Sequence, residues 1–149
     1  GQDQVAAGRI ALRSVDEHLA ARRSFNQETT LAGHRALRTM AEAREKGYRV
    51  FLFYIGLANE GIALQRIERR VQAGGHDIDE ALVRKRYRAS LANLSKALPY
   101  CEEAHVLDNT AFKRIALWHR NTLAWWGASK SVGAWLPEAI ADESLWRRS

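Results

Sequence analysis

The sequence has few of the features on which several classes of protein depend. It contains one cysteine, Cys101, so no disulfide forms within the chain, which is typical of proteins from a reducing compartment. No apolar run reaches the roughly 18 residues that a membrane-spanning helix needs. No signal-peptide pattern opens the sequence. We therefore expect a cytoplasmic protein that does not act at a membrane.

Motifs of the common hydrolases and zinc enzymes are also missing. The five histidines show no metal-ligand spacing. There is no His-Glu-x-x-His pattern, no cysteine pair and no Gly-x-Ser-x-Gly motif. The sequence thus gives no support to a hydrolase or a zinc enzyme, and we predict no metal site formed by its own residues.

Length and charge set the remaining bounds. The chain has 149 residues and a formal net charge of +6 at pH 7. This length suits one ordinary domain, and we interpret residues 1–149 as a single domain. A basic balance fits an anionic partner such as a nucleotide, a phosphorylated metabolite or nucleic acid. Basic side chains that only solvate helix faces would explain the charge equally well.

An apolar run from Gly47 to Ile55 organises the predicted fold. Arg49 is its one charged residue, and the run is rich in aromatic and β-branched types. This composition predicts a strand buried on both faces. Helical patterns precede and follow it, which indicates an α/β fold with a parallel sheet flanked by helices. In such sheets ligands bind beyond the carboxyl ends of the strands.

The first part of the chain has further local signals. Apolar residues at helical spacing predict a helix over residues 4–22. Residues 24–30 are interpreted as a short strand, and a second helix is predicted after Gly33. Asn59 is predicted to cap a third helix.

The second part of the chain continues this alternation. Asp77 precedes Glu80 by three residues, which matches a capping box at the start of a fourth helix. A strand is predicted over residues 104–109. The apolar runs on either side of residues 119–121 predict a C-terminal β-hairpin, and a short helix is predicted around residues 135–141.

The polar cluster Glu28-Thr29-Thr30 ends the predicted strand at 24–30. A carboxylate there can accept hydrogen bonds from sugar or nucleoside hydroxyls, and threonine hydroxyls can bind phosphate or hydroxyl groups. The cluster is also compatible with an ordinary strand-to-helix junction, in which threonine caps backbone amides.

Arginines form the second candidate constellation. They lie in two helical patterns separated by Gly74-Gly75-His76: Arg66, Arg69 and Arg70, then Arg84, Lys85, Arg86 and Arg88. Arginine pairs well with phosphate because its planar fork stays charged. Two basic helix faces joined by a glycine hinge could close over a polyphosphate. A solvated basic surface balanced by nearby acids remains the alternative.

Aromatic residues allow a third, weaker interpretation. The tryptophans at 118, 125, 126, 135 and 146 could stack on bases and support binding of nucleic acid. Aromatic residues in such patterns more often pack the core and the hairpin, so we do not expect a nucleic-acid partner.

Several of these segments together resemble the zeta toxin family of P-loop kinases. Residues 23–33, Arg-Ser-Phe-Asn-Gln-Glu-Thr-Thr-Leu-Ala-Gly, carry the most specific part of the likeness. It continues in order through Lys46-Gly47-Tyr48-Arg49-Val50, Arg66 to Val71, Gly74-Gly75-His76-Asp77-Ile78, Arg84-Lys85-Arg86-Tyr87 and Leu107-Asp108-Asn109. The resemblance covers roughly residues 5–118.

The resemblance implies a kinase that uses ATP and Mg²⁺ to phosphorylate a small metabolite such as a UDP-amino sugar, held in check by an antitoxin. It implies a lid-like segment at about residues 74–88. Arg66 with Arg84 or Arg86 would clamp the ATP phosphates and stabilise the transferring phosphoryl group, a catalytic role.

The resemblance also assigns the other candidate residues. Glu28, Thr29 and Thr30 would bind the substrate. Asp108 and Asn109 would lie near the nucleotide.

The chain departs from the family in one large respect. The family begins with a strand, a Gly-x-x-x-x-Gly-Lys-Ser/Thr loop, a helix and an acidic segment that carries the catalytic base, and none of these is in this sequence. The resemblance implies that the missing strand would lie between residues 24–30 and 48–55. Either those two strands pair directly, another chain supplies the missing strand, or the sequence is part of a longer kinase. A non-catalytic, kinase-like binding module for a protein or nucleotide partner is the alternative function.

Overall fold

The computed structural model describes residues 2–140 and 142–145. Along the chain the helices are α1 (Gln2–Ala20), α2 (His34–Glu45), α3 (Glu60–Gln72), α4 (Glu80–Ala97) and α5 (Trp135–Ala139). The strands are β1 (Phe51–Gly56), β2 (Glu103–Asp108), β3 (Lys113–His119) and β4 (Thr122–Trp126). Short 3₁₀ helices span Leu98–Tyr100 and Glu143–Leu145. Ala141, at the end of the last predicted helix, and Trp146 lie outside the described residues.

The four strands form one mixed sheet in the order β1-β2-β3-β4. β1 pairs with β2 in parallel, from Phe51 opposite Glu103 to Gly56 opposite Asp108. β3 and β4 are antiparallel to their neighbours, because the short connections before them allow only hairpins. The α/β class and the flanking helices are as predicted, whereas the parallel arrangement is limited to one pair of strands.

The predicted C-terminal hairpin is present as β3 and β4. Arg120 and Asn121 link the two strands with φ angles of 46° and 61°. Two positive φ angles in succession are typical of the primed turns whose twist matches that of a hairpin.

The strand predicted over residues 24–30 is absent. Residues 23–30 are irregular and belong to no sheet. A strand exists only through ladder hydrogen bonds to a neighbour, and a cleft separates this segment from β1. The first of the three possibilities above, direct pairing of the two strands, is therefore not what the fold shows.

The prediction that β1 is buried on both faces is also wrong. Its residues alternate between exposed and buried. Leu52 and Tyr54 are each 8% exposed, whereas Phe53 is 64% and Ile55 is 61% exposed. The apolar composition was read correctly, but among the described residues nothing covers the second face.

The core lies between the other face of the sheet and helices α2, α4 and α5. The Tyr54 hydroxyl is 3.0 Å from the Ser90 hydroxyl of α4. Gly56 lies so close to the ring of Trp135 in α5 that a β-carbon would be 2.3 Å from it. Only glycine fits at the end of β1 without a shift of the Trp135 ring.

The helix starts test the two predicted caps. The Asn59 side chain accepts a hydrogen bond from the Ile62 amide at 3.0 Å, which confirms it as the cap of α3. The capping box at Asp77 is wrong: α4 starts at Glu80 after Asp79, whose side chain forms no capping bond. None of the helices in the described part of the chain is long and apolar enough to cross a membrane.

Cys101 is buried, with 4% of its surface exposed, and burial raises the pKa of its thiol to about 12. At about pH 8 roughly one thiol in ten thousand is then ionised, and the thiolate is the reactive form.

We expect an aromatic disulfide reagent to label the folded chain orders of magnitude more slowly than the denatured chain. A Lys130→Cys variant, which adds a thiol at an exposed position, provides the control. Equal rates at both thiols of the folded variant would contradict the prediction.

Candidate functional site: a cleft beside strand β1 and the carboxyl edge of the sheet

A cleft of about 640 Å³ runs along the free edge of β1. Residues 25–31 form its far wall, and residues 48–55 form its near wall. Side chains of α2 line its floor, namely Ala36, Thr39, Met40 and Ala43. The predicted substrate residues Glu28, Thr29 and Thr30 all lie in the far wall.

Main-chain groups of β1 face this cleft, and within residues 2–140 and 142–145 no strand pairs with them on that side. The carbonyls of Val50 and Gly56 point toward β2, where they accept hydrogen bonds from the main-chain amides of Glu102 and Asn109. In a parallel ladder, residues along a strand turn their main-chain groups to alternate sides. The amides and carbonyls of residues 51, 53 and 55 therefore point into the cleft.

Two side chains, Tyr48 and Asn93, hold the two ends of the far wall by hydrogen bonds. The Tyr48 hydroxyl lies 2.9 Å from the carbonyl of Arg23 and 2.9 Å from that of His18. At the other end the Asn93 amide donates to the Leu31 carbonyl at 2.8 Å. Tyr48 precedes β1, and Asn93 lies one helical turn from the Ser90 that contacts Tyr54. The wall therefore runs in the same general direction as β1.

The threonines of the far wall take part in local turns. The Thr29 hydroxyl accepts a bond from the Leu31 amide at 3.1 Å, and the Thr30 hydroxyl from the Ala32 amide at 3.4 Å. Leu31 has a φ of 57°, and these two bonds support that turn. The hydroxyl protons remain available to a ligand, and Glu28 is exposed. The geometry is compatible with both interpretations of the cluster.

Asp108 organises the carboxyl edge of the sheet. It is 2% exposed, and its carboxylate accepts hydrogen bonds from the Trp135 indole and from the amides of Gly133, Thr110 and Ala111, at 2.9, 2.9, 2.8 and 3.3 Å. Burial raises the carboxyl pKa, but the four donors outweigh it and hold the pKa below its ordinary value. All four contacts are internal, which favours a structural contribution beside the predicted nucleotide role.

Asn109 and Arg66 meet at this edge. The main-chain amide of Asn109 donates to the carbonyl of Gly56 in β1 at 2.9 Å. The guanidinium of Arg66 donates to the main-chain carbonyl of Asn109 at 3.1 Å. Arg66 is half-buried. The structure thus brings two of the predicted site residues together at the place where ligands of parallel strands bind.

Arg84 lies in an ion-pair network instead. Its guanidinium is 3.1 Å from Glu60 of α3 and 2.6 Å from Glu80 of α4, and Glu60 also binds Arg88. Hydrogen bonds from Arg88, which has the larger effect, and from Arg84 lower the pKa of the Glu60 carboxyl. Two of the cations proposed for phosphate are therefore already partnered by carboxylates.

Arg86 does not share this network. Two residues along a helix turn the side-chain direction by about 200°, so Arg84 and Arg86 point to different sides of α4. Arg86 is exposed. The segment 74–88, predicted to be lid-like, consists of the linker after α3 and the first half of α4.

Glu60 was missed by the sequence interpretation. It was visible only as the residue after the cap Asn59, and its partners lie 24 and 28 residues further along the chain. The tryptophan pattern gives little support to base stacking, because Trp118 and Trp135 are 1% and 7% exposed. Within residues 2–140 and 142–145 no three histidine, cysteine or acidic side chains cluster as metal ligands would.

Comparisons with known proteins leave the family open. No family model matches the chain, and no solved structure matches it. An uncharacterized protein of Haemophilus influenzae is 39% identical over 87 residues. That stretch is 56% of this chain, and the chain spans 59% of the length of this relative.

We expect Asp108→Asn to destabilise the fold by roughly 2–4 kcal/mol, because an amide nitrogen would face buried donors that need an acceptor. Urea denaturation measures the loss. Asp77→Asn, at an exposed position, is the matched control and should change the stability by less than about 0.5 kcal/mol. Equal effects of the two substitutions would contradict the assigned role.

The same carboxylate predicts a pH dependence. Because the folded pKa is lowered, its stabilisation is complete well above the unfolded pKa of about 3.9 and is lost as the pH falls through the folded value. The difference in unfolding free energy between the native chain and Asp108→Asn should therefore shrink below about pH 4. A difference that stays constant into strong acid would be inconsistent with an ionised Asp108.

Proposed function

We propose that this chain is the substrate- and lid-bearing part of an ATP-dependent small-molecule kinase of the zeta toxin type. Its substrate would be a small metabolite with a free hydroxyl, such as a UDP-amino sugar, in the cytoplasm. The chain alone would be inactive, because its sequence lacks the phosphate-binding loop and the catalytic acid segment. The observation that supports this proposal is the cleft between the Glu28-Thr29-Thr30 wall and β1.

The cleft lies along the free edge of β1, where a further strand could pair. Neighbouring strands lie about 4.8 Å apart, so a strand between two others needs a slot of about twice that width, with unpaired main-chain groups on its walls. Residues 51, 53 and 55 provide such groups on one side. The resemblance to zeta toxins implies the phosphate-loop strand at this position, between the same two segments.

The charges around the site suit the same interpretation. Arg66 lies at the carboxyl edge of β1 and β2 through its bond to Asn109, where a strand in the cleft would also end. When bound, ATP and Mg²⁺ supply the transferable phosphoryl group and neutralise its charge. This chain would contribute Glu28, Thr29 and Thr30 to orient the substrate and Arg66 to stabilise charge on the phosphates.

Arg84 is held by carboxylates, and Arg86 points to a different side of α4. Arg84 would have to exchange Glu60 and Glu80 for phosphate oxygens. This partnering favours the alternative function, a kinase-like module that binds a protein or nucleotide without catalysis. An antitoxin or a second chain that fills the cleft fits either function.

The test is to co-express the chain with a zeta toxin segment that contains the strand, the phosphate-binding loop, the helix and the acidic segment with the catalytic base. We expect the two polypeptides to co-purify, and we expect ATP binding by calorimetry and phosphoryl transfer to a UDP-amino sugar only in the complex. Arg66→Ala should lower the transfer rate roughly 10²–10³-fold, whereas Arg38→Ala at an exposed position of α2 should not. A complex that forms without phosphoryl transfer would contradict the kinase proposal and favour the non-catalytic module.

A substitution in the floor of the cleft tests where the segment binds. Thr39→Trp fills the cleft and should prevent co-purification. Arg38→Trp, its exposed neighbour on α2, is the matched control and should have no effect. Co-purification that survives Thr39→Trp would show that the segment binds elsewhere.

A further inference from the structure

The face of the sheet opposite the core carries a large exposed apolar surface. Phe51, Phe53 and Ile55 of β1 are 48%, 64% and 61% exposed, and Trp125 of β4 is 38% exposed. Single exposed apolar residues are common on proteins, but a contiguous group of this size marks a binding surface.

The strand register makes this surface continuous. Phe53 lies opposite His105 of β2, His105 opposite Leu117 of β3, and Leu117 opposite Trp125. The Phe53 and His105 rings stack with centroids 4.8 Å apart. The next row is formed by Ile55, Leu107 and Arg114. We call the surface formed by Phe51, Phe53, Ile55, Leu107, Leu117 and Trp125 the open face.

Two arginines border the open face. The guanidinium carbon of Arg49 is 6.0 Å from the ring centre of Phe51, and that of Arg114 is 5.6 Å from the ring centre of Trp125. Among the described residues no carboxylate forms an ion pair with either of them. The border is therefore positively charged at both ends.

One acid, Glu103, lies in the row at the amino end of the open face. It is 3.0 Å from His105 and 3.9 Å from His119. Its charge is directed to these two side chains of the same face. It does not neutralise the two arginines.

The charge of the border decides between the possible occupants. A second copy of the chain would bring two basic borders together, and the whole chain carries a net charge of +6, so self-association by this face is opposed by repulsion. A partner with acidic residues beside an apolar stripe is attracted instead. Helices cover both faces of the sheet in α/β folds, and here helices α2, α4 and α5 cover the first face, so a helix is the occupant we choose for the second.

We propose that the open face binds an amphipathic α-helix of another polypeptide, with an apolar stripe on the sheet and acidic residues on its flanks. The stripe covers the apolar side chains of β1, β2, β3 and β4, and the flanking carboxylates reach Arg49 and Arg114. This binding does not depend on kinase activity or on a strand in the cleft, so the two proposals fail separately.

The probes are two synthetic helical peptides of about 18 residues, which span about 27 Å. They share one leucine stripe and differ only in their flanks, which are glutamate in one and lysine in the other. We expect the glutamate peptide to bind at least about tenfold more tightly by calorimetry at low salt, with the difference reduced at high salt. Equal binding of the two peptides would overturn the proposal.

Charge reversal separates the border from the net charge. In Arg49→Glu/Arg114→Glu the preference should shift to the lysine peptide. Arg38→Glu/Arg70→Glu, which makes the same charge change at exposed positions of α2 and α3, should keep the preference for glutamate. The same shift in both double variants would mean that net charge, and not the open face, selects the peptide.

Two further measurements locate the site. Phe53→Ser should lose binding of both peptides, with circular dichroism reporting that the fold is kept. In the unmodified chain the methyl resonances of Ile55 should shift when the glutamate peptide is added, and this needs no variant. Unchanged Ile55 resonances with a saturating peptide, or a homodimer in sedimentation that Phe53→Ser dissociates, would overturn the proposal.

Discussion

The buried carboxylate of Asp108 is the interaction on which the arrangement at the carboxyl edge of the sheet depends. A buried anion is tolerated only where donors surround it, and its four donors come from two separate parts of the chain, the β2–β3 connection and the segment that starts α5. One side chain thus holds both segments at the end of β2. The next residue, Asn109, joins β1 through Gly56 and receives Arg66. The guanidinium of Arg66 is thus bound to the residue that follows the buried carboxylate of Asp108.

The distribution of helices explains why β1 dominates the free surfaces. The core helices that could be described lie on one face of the sheet, and β1 is at its edge. Residues 51, 53 and 55 consequently direct their main-chain groups into the cleft and their side chains onto the open face. The same three residues contribute to a hydrogen-bonding edge and to an apolar surface. A strand in the cleft and a helix on the open face would be neighbours, and each would shield part of what the other leaves exposed.

Local signals in the sequence predicted what local chemistry determines. The Asn59 cap, the hairpin and the positions of β1 and β2 depend on residues close in sequence. Features that depend on distant partners were not predictable. The strand at 24–30 needed a neighbour, burial of both faces of β1 needed a second covering layer, and the Arg84–Glu60 pair joins positions 24 residues apart. Apolar composition indicates that a surface is to be covered, but it does not indicate whether the chain itself provides the cover.

The side chains of Tyr48 and Asn93 hold the two ends of the far wall, and this affects how tightly a strand can bind in the cleft. Tyr48 holds the wall near Arg23, and Asn93 holds it at Leu31, although in the described part of the chain no ladder connects the wall to β1. The wall has thus lost its conformational freedom during folding of the chain. When a strand binds in the cleft, only the strand then loses conformational entropy. This is the advantage of a preorganised binding site. Removing the Asn93 side chain, which does not line the cleft, would weaken binding of a strand, because the far wall would then have to be ordered together with that strand.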